Sequence, residues 1–190
     1  MNIGVLALQG DFIEHFNVLQ SLGAAARLVK LPAQLEGLDG LIFPGGESTT
    51  IGKLAVAYDL MGPLRDFARE RAVWGTCAGA IFLSEDVKRD QPLLNAMDIE
   101  VERNAFGRQV ESFEIDLPAP FLKNGEEVPY HAVFIRAPII SKVFGRAKVL
   151  LNLPDGRIVA AQQGKLLATS FHPELTPDTR FHQYFLELAA

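Results

Sequence analysis

Three stretches of this chain run apolar with almost no interruption: Ile3 to Leu8, Leu38 to Phe43 and Ala72 to Thr76. A strand with one wet face alternates apolar and polar residues, so an unbroken run has to be covered on both faces. The intervening segments supply the cover. Phe12, Phe16, Leu19 and Leu22 recur at helical spacing, and Gly23 offers a C-terminal stop. Arg27 to Leu31 reads as a second strand ended by Pro32. Ser48 to Tyr58 reads as a helix with Ser48 or Thr49 as N-cap, and Leu64 to Arg71 as another. This βαβαβ rhythm predicts a parallel sheet with helices on both faces. At 190 residues and 48% hydrophobic, the chain can bury a full core, and it is expected to form one domain over 1–190.

The second half changes character. Phe113, Ile115 and Leu117 alternate with Glu114 and Asp116, the period of a half-exposed antiparallel strand. Further strands are expected at Ala132 to Arg136, Lys148 to Leu153, Ile158 to Gln162 and Leu166 to Ser170. Asp155-Gly156 signals a hairpin, and Thr179 to Leu188 a closing helix. The formal net charge is -5, which argues against a nucleic-acid surface. The longest uncharged run of note, Ala72 to Ser84, falls short of the ~20 residues of a membrane span. No basic leader precedes the first strand, and the single cysteine fits a reducing compartment. A soluble, cytoplasmic protein is expected.

That cysteine sits in Gly75-Thr76-Cys77-Ala78-Gly79, directly after an apolar strand. The pattern is a nucleophile elbow, a sharp strand-to-helix turn crowded enough to demand glycines. A helix N-terminus there favours thiolate over thiol; the competing reading is a buried structural cysteine. His172-Pro173-Glu174 follows the strand Leu166 to Ser170. A residue before proline is pushed toward extended backbone, where positions i and i+2 share a side. Glu174 could then fix the His172 tautomer while the other ring nitrogen faces a thiol. A surface loop is the alternative. Pro44-Gly45-Gly46-Glu47-Ser48 is either a plain Gly-rich turn into a helix or a source of a backbone N–H for an oxyanion, together with that of Ala78. It lacks the Lys-Ser/Thr ending of a phosphate-binding loop. His15, His131 and His182 show no metal-site spacing and read as satisfied or solvent-facing; no metal or cofactor is expected.

These segments carry a resemblance. With Leu8-Gln9-Gly10-Asp11, Glu14-His15, Gly46-Glu47-Ser48-Thr49-Thr50, Glu102-Arg103-Asn104-Ala105-Phe106-Gly107-Arg108-Gln109 and Phe134-Ile135-Arg136-Ala137-Pro138, the chain resembles the class I (triad) glutamine amidotransferases. Among them it is most similar to the glutaminase subunits of pyridoxal 5′-phosphate synthase. Phe43 and Phe82 depart from that family's pattern, at no catalytic position. The resemblance implies a flavodoxin-like three-layer α/β sandwich, its central sheet mostly parallel with antiparallel additions in the second half. It also implies a Cys77 nucleophile, a His172 acid/base oriented by Glu174, and an oxyanion hole from the Gly46 and Ala78 N–H groups. L-Glutamine would be held by Gly46, Glu47, Ser48, Arg103, Ile135 and Arg136. Arg108 is left outside that site. Ammonia would pass through a channel to a (β/α)₈-barrel synthase subunit that makes pyridoxal 5′-phosphate from ribose 5-phosphate and glyceraldehyde 3-phosphate. Docking of that subunit would turn a misoriented Gly45-Gly46 peptide. The alternatives are a subunit serving another synthase, a ThiJ/PfpI-type hydrolase and a non-catalytic scaffold.

Overall fold

A computed structural model describes residues 1–103 and 112–190. The part of the Glu102 to Gln109 segment from Asn104 onward, Arg108 included, lies outside the described residues. Strand β1 (Asn2–Leu6), helix α1 (Phe12–Ser21), β2 (Ala25–Val29), β3 (Gly40–Phe43), α2 (Ser48–Ala57), α3 (Met61–Glu70), β4 (Ala72–Thr76) and the short α4 (Ala78–Leu83) form the first half. After them come β5 (Ser84–Asp86), β6 (Met97–Glu102), β7 (Ser112–Leu117), β8 (Tyr130–Ile135), β9 (Ile139–Val143), β10 (Lys148–Asn152), β11 (Ile158–Gln163), β12 (Leu166–Thr169) and α5 (Arg180–Ala189).

The main sheet runs in the order β2-β1-β3-β4-β12-β11-β9-β6-β5, with β10 on β11. Its first five strands are mutually parallel. From β12 onward β11, β9 and β6 alternate antiparallel, and β5 joins β6 in parallel. The strand β7 pairs with β8 in a separate antiparallel ribbon.

The sheet divides two apolar cores, as the unbroken runs require. Leu41, Phe43 and Val73 pack on one face with Ile51 and Ala55 of α2, Leu64 of α3 and Phe82 of α4. Ile3, Val5, Ile42 and Trp74 pack on the other with Leu19 of α1 and Phe181 and Phe185 of α5, and the β7–β8 ribbon adds Tyr130 and Phe134 there. Neighbouring residues of one strand thus feed opposite cores, which makes three layers. Phe43 and Phe82, the two departures from the family pattern, touch each other with ring centroids 5.4 Å apart. Among the described residues no helix is long and apolar enough to cross a membrane.

Two local details differ from the sequence reading. The third helix begins at Met61 rather than Leu64, with Pro63 inside its first turn. Proline is tolerated there because first-turn N–H groups have no partner within the helix to lose. Helix α2 is capped by neither Ser48 nor Thr49 but by the side chain of Glu47, which accepts from the N–H groups of Thr49 and Thr50. Ser48 is already helical and buried.

Candidate active site

The elbow forms at the C-terminal edge of β4. Cys77 has φ +47°, a conformation that side chains avoid and that a crowded site must enforce. The crowding is measurable. A Cβ on Gly79 would lie 2.0 Å from the Phe43 carbonyl oxygen, and one on Gly75 would lie 2.4 Å from that of Gly79. The Cys77 N–H donates to the Thr169 carbonyl at 2.8 Å, tying the elbow to the neighbouring strand β12.

The chain leaves β12 and delivers His172, whose N–H donates to the Val133 carbonyl of β8 at 2.8 Å. His172 Nδ1 then lies 2.7 Å from Glu174 Oε1. The contact expected from an extended i, i+2 arrangement is present, but its geometry differs: Pro173–Leu175 make a 3₁₀ turn. His172 and Glu174 are both buried. Burial lowers the affinity of His172 for a proton, yet hydrogen bonds to Cys77 and Glu174, with the charges of both, outweigh it and push the pKa up to about 10. Burial raises the pKa of Glu174, and the His172 hydrogen bond and charge oppose that. Thiol, imidazole and carboxylate therefore meet in one chain of contacts.

They meet at a cavity of about 420 Å³, in the range of small-molecule sites. Cys77, His172, Gly46, Ala78, Glu47, Ser48, Arg103, Ile135 and Arg136 all line it, and Glu174 stands behind His172. Arg136 takes φ +44° at the end of β8. The Arg103 guanidinium is engaged by Glu47 Oε1 at 3.0 Å and by Thr49 Oγ1 and Gln91 Oε1, each at 3.2 Å. Desolvation is the largest single influence on Glu47 and raises its pKa, but hydrogen bonds from the Thr50 hydroxyl, the Thr50 and Thr49 N–H groups and Arg103 together outweigh it and bring the pKa to about 2.

Sequence reasoning did not assign the turn after β1 to the site, although Gln9, Gly10 and Asp11 line the same cavity. Gln9 Oε1 accepts from the Glu47 N–H at 2.6 Å, and the Asp11 N–H donates to the Gly45 carbonyl at 3.1 Å. Gly46, at φ +145°, adopts a backbone open in practice to glycine. The rule that α/β sheets bind ligands beyond their carboxyl strand ends was the signal available for this turn. Asp11, His172 and Glu174 also bring donor atoms within 4.8 Å of one another. A cation held there would have to take His172 Nδ1 from Glu174.

A model of the SNO glutamine amidotransferase family matches residues 5–190. The chain belongs to that family. A Herpetosiphon aurantiacus protein, pyridoxal 5′-phosphate synthase subunit PdxT, is 58% identical over 193 residues, spanning 99% of this chain and 100% of the relative. The subunit of the same name from Moorella thermoacetica is 54% identical over 190 residues, covering 99% of each. A crystal structure of a glutamine amidotransferase superposes with a TM-score of 0.92 at 51% identity over 98% of both chains. The PurLQS structure from Thermotoga maritima, 14% identical with a TM-score of 0.70 over all of this chain and 98% of that one, shares the fold alone.

Proposed function

We propose that the chain, as one domain, hydrolyses L-glutamine to L-glutamate and ammonia. The observation that carries this reading is His172, joined to Cys77 on one side and Glu174 on the other at the wall of a ligand-sized cavity. Cys77 Sγ attacks the side-chain amide carbon, and the developing oxyanion rests on the Gly46 and Ala78 N–H groups. His172, charged at neutral pH, gives its proton to the departing ammonia. A γ-glutamyl thioester remains. The neutral imidazole then takes a proton from water, whose hydroxide attacks the thioester and releases glutamate, leaving the Cys77 thiolate beside a charged His172 as at the start.

Arg136 supplies the guanidinium fork for the α-carboxylate of glutamine, with Ile135 beside it. Arg103 is already committed to Glu47, Thr49 and Gln91, so its part is to set the Glu47-Ser48 wall of the cavity. The relatives are named as subunits of pyridoxal 5′-phosphate synthase. By extension the ammonia goes to a synthase subunit, of (β/α)₈-barrel fold, that builds pyridoxal 5′-phosphate from the two sugar phosphates.

Docking of that subunit would govern the oxyanion hole. In a trans peptide the C=O and N–H point opposite ways, so the Asp11 N–H bonded to the Gly45 carbonyl fixes where the Gly46 N–H points. Turning this peptide breaks one hydrogen bond. Loss of one oxyanion donor costs ~3 kcal/mol, a few hundredfold in rate. Ammonia release by the chain alone and with the synthase subunit tests the reading: strong stimulation by the partner is expected. Equal rates in both would refute control by docking, and no hydrolysis in the complex would refute the glutaminase.

A further inference from the structure

Behind Glu174 the structure continues a polar chain that the reaction above does not use. His15 of α1 and His182 of α5, separated by 167 positions in sequence, are fully buried with Nδ1 of the first 3.0 Å from Nε2 of the second. His15 Nε2 faces Thr76 Oγ1 at 3.1 Å and Glu174 Oε2 at 3.3 Å. That carboxylate oxygen is buried and has no hydrogen-bond partner among the described residues, so the His15 ring is a close polar neighbour of it and Thr76 is the hydrogen-bond partner of Nε2. The edge of Trp74 closes the cluster, its ring centroid 5.7 Å from that of His15 and 4.9 Å from that of His182.

The proton positions follow from counting donors. Burial, then the charges of His182 and His172, keep His15 well below the usual histidine range, so it is neutral and carries one proton. Burial holds His182 at about 3, so it is neutral too. A proton on His15 Nε2 is donated to Thr76 Oγ1 and lies beside Glu174 Oε2, while Nδ1 accepts from the His182 Nε2–H. The chain then ends on His182 Nδ1, a bare acceptor without a hydrogen-bond partner among the described residues. In the opposite tautomer Nε2 accepts from the Thr76 hydroxyl, a lone pair faces the carboxylate, and an orphaned N–H is left on His182. Buried orphan donors are rarer than orphan acceptors. A single tautomer fits.

We infer that His15, fixed by His182 and Thr76, is a positioning residue for Glu174: its Nε2 edge, 3.3 Å from the far carboxylate oxygen, turns a positive dipole toward Oε2 and packs it in place so that Oε1 stays on His172 Nδ1. The inference rests on the reading of Cys77, His172 and Glu174 as the triad. Glu174 is buried against His172, with Asp11 Oδ2 3.6 Å from the same His172 nitrogen, and the charges of Glu174 and Tyr130 disfavour each other's ionisation. Asp11 and Tyr130 add negative field when ionised. His15 Nε2 lies 3.3 Å from Oε2, the carboxylate oxygen that His172 does not hold. Without it, protonation of Glu174 becomes easier, and a neutral acid no longer steadies the imidazolium.

The test compares His15→Leu, His15→Gln, His182→Phe and Cys77→Ala in the complex with the synthase subunit, reading kcat, KM and the pH profile of glutamine hydrolysis. His15→Leu should lose about 10–100-fold in kcat with KM within about twofold, the loss expected when a residue that holds the geometry of a catalytic group is removed. Its acidic limb should move up by about one pH unit. A glutamine amide nitrogen can stand where Nε2 stood, so His15→Gln should recover most of the rate and restore the limb. A general packing defect would scale the profile without moving it. Wild-type kcat and limb in His15→Leu would overturn the inference, as would His15→Gln behaving no better than His15→Leu. Should His15→Leu not fold, His182→Phe decides: an upward limb shift supports the relay, and an unmoved limb overturns it. Activity surviving in Cys77→Ala would instead overturn the triad reading itself.

Discussion

Two buried imidazole sites lie on opposite sides of Glu174 and behave oppositely. At the cavity wall, His172 keeps its proton up to about 10. In the cluster of His15 and His182, packed against Trp74, burial drives His182 down to about 3 and His15 well below its usual range. Burial disfavours the charged form at both sites. What separates them is the company: His172 touches a thiol and a carboxylate, whereas His182 touches a neutral imidazole and aromatic rings. The lesson is that depth alone does not set charge in this fold; one shared carboxylate divides an ionised layer from a neutral one.

The largest effect should come from erasing that division. Glu174→Gln keeps the shape but removes the charge, and activity in the complex should fall by about 10⁴-fold, as for loss of an orienting carboxylate in a triad. His172 should also titrate well below 10 in an NMR pH series of the variant. An unchanged titration would break the comparison.

Stability against pH comes next. His15 and His182 have folded pKa values below their unfolded values, so their neutral burial stabilises fully above about 6.5, and stability is lost as pH falls toward about 3. Each can steepen the loss by up to ~1.4 kcal/mol per pH unit. The raised His172 works the other way: its contribution is present below about 6.5 and is lost as pH rises through about 10. Urea midpoints across that range should therefore sag at both ends. His182→Phe should flatten the acid side only.

Smaller still is Glu47→Gln, which weakens the cap of α2 and the partner of Arg103. A cost of about 1 kcal/mol in a urea titration is expected, with the acid dependence due to Glu47 confined to the range between its usual carboxylate pKa and about 2. The smallest effect belongs to His131, a half-exposed side chain whose pKa is raised by hydrogen bonds to Asp116 and Glu114. His131→Gln should leave the thermal midpoint unchanged within error, because charge partners in solvent are screened. A clear drop would mean that company decides even without burial.

Much of the first half was legible in the sequence because β1, β3 and β4 are buried on both faces and read as unbroken apolar runs. Strands β5, β6 and β9 were not singled out. They are short or interrupted, and Met97 to Glu102 alternates in a way that only its neighbours on the sheet resolve. Many of the cavity-lining residues, Gly46, Cys77, Ala78 and His172 among them, were legible through motifs that follow strands of the main sheet, where this sheet class places ligands, whereas Gln9, Gly10 and Asp11 were not assigned. Glu47 shows the limit: whether its carboxylate faces a ligand or turns back onto Thr49 and Thr50 is decided by the loop's conformation. The pairing of His15 with His182 left no local signal, because each reads as one polar position on an amphipathic helix. Only the packing of α1 and α5 on the same face of the sheet brings them together.

The central claim is that Cys77 is made a nucleophile by His172 and Glu174. The most direct measurement treats the complex with a glutamine-analogue electrophile and reads intact mass with peptide mapping. A single adduct on Cys77, blocked by L-glutamine and lost in Glu174→Gln, is the predicted result. A Cys77 left unmodified in the assembled complex, or modified equally fast in Glu174→Gln, would contradict it.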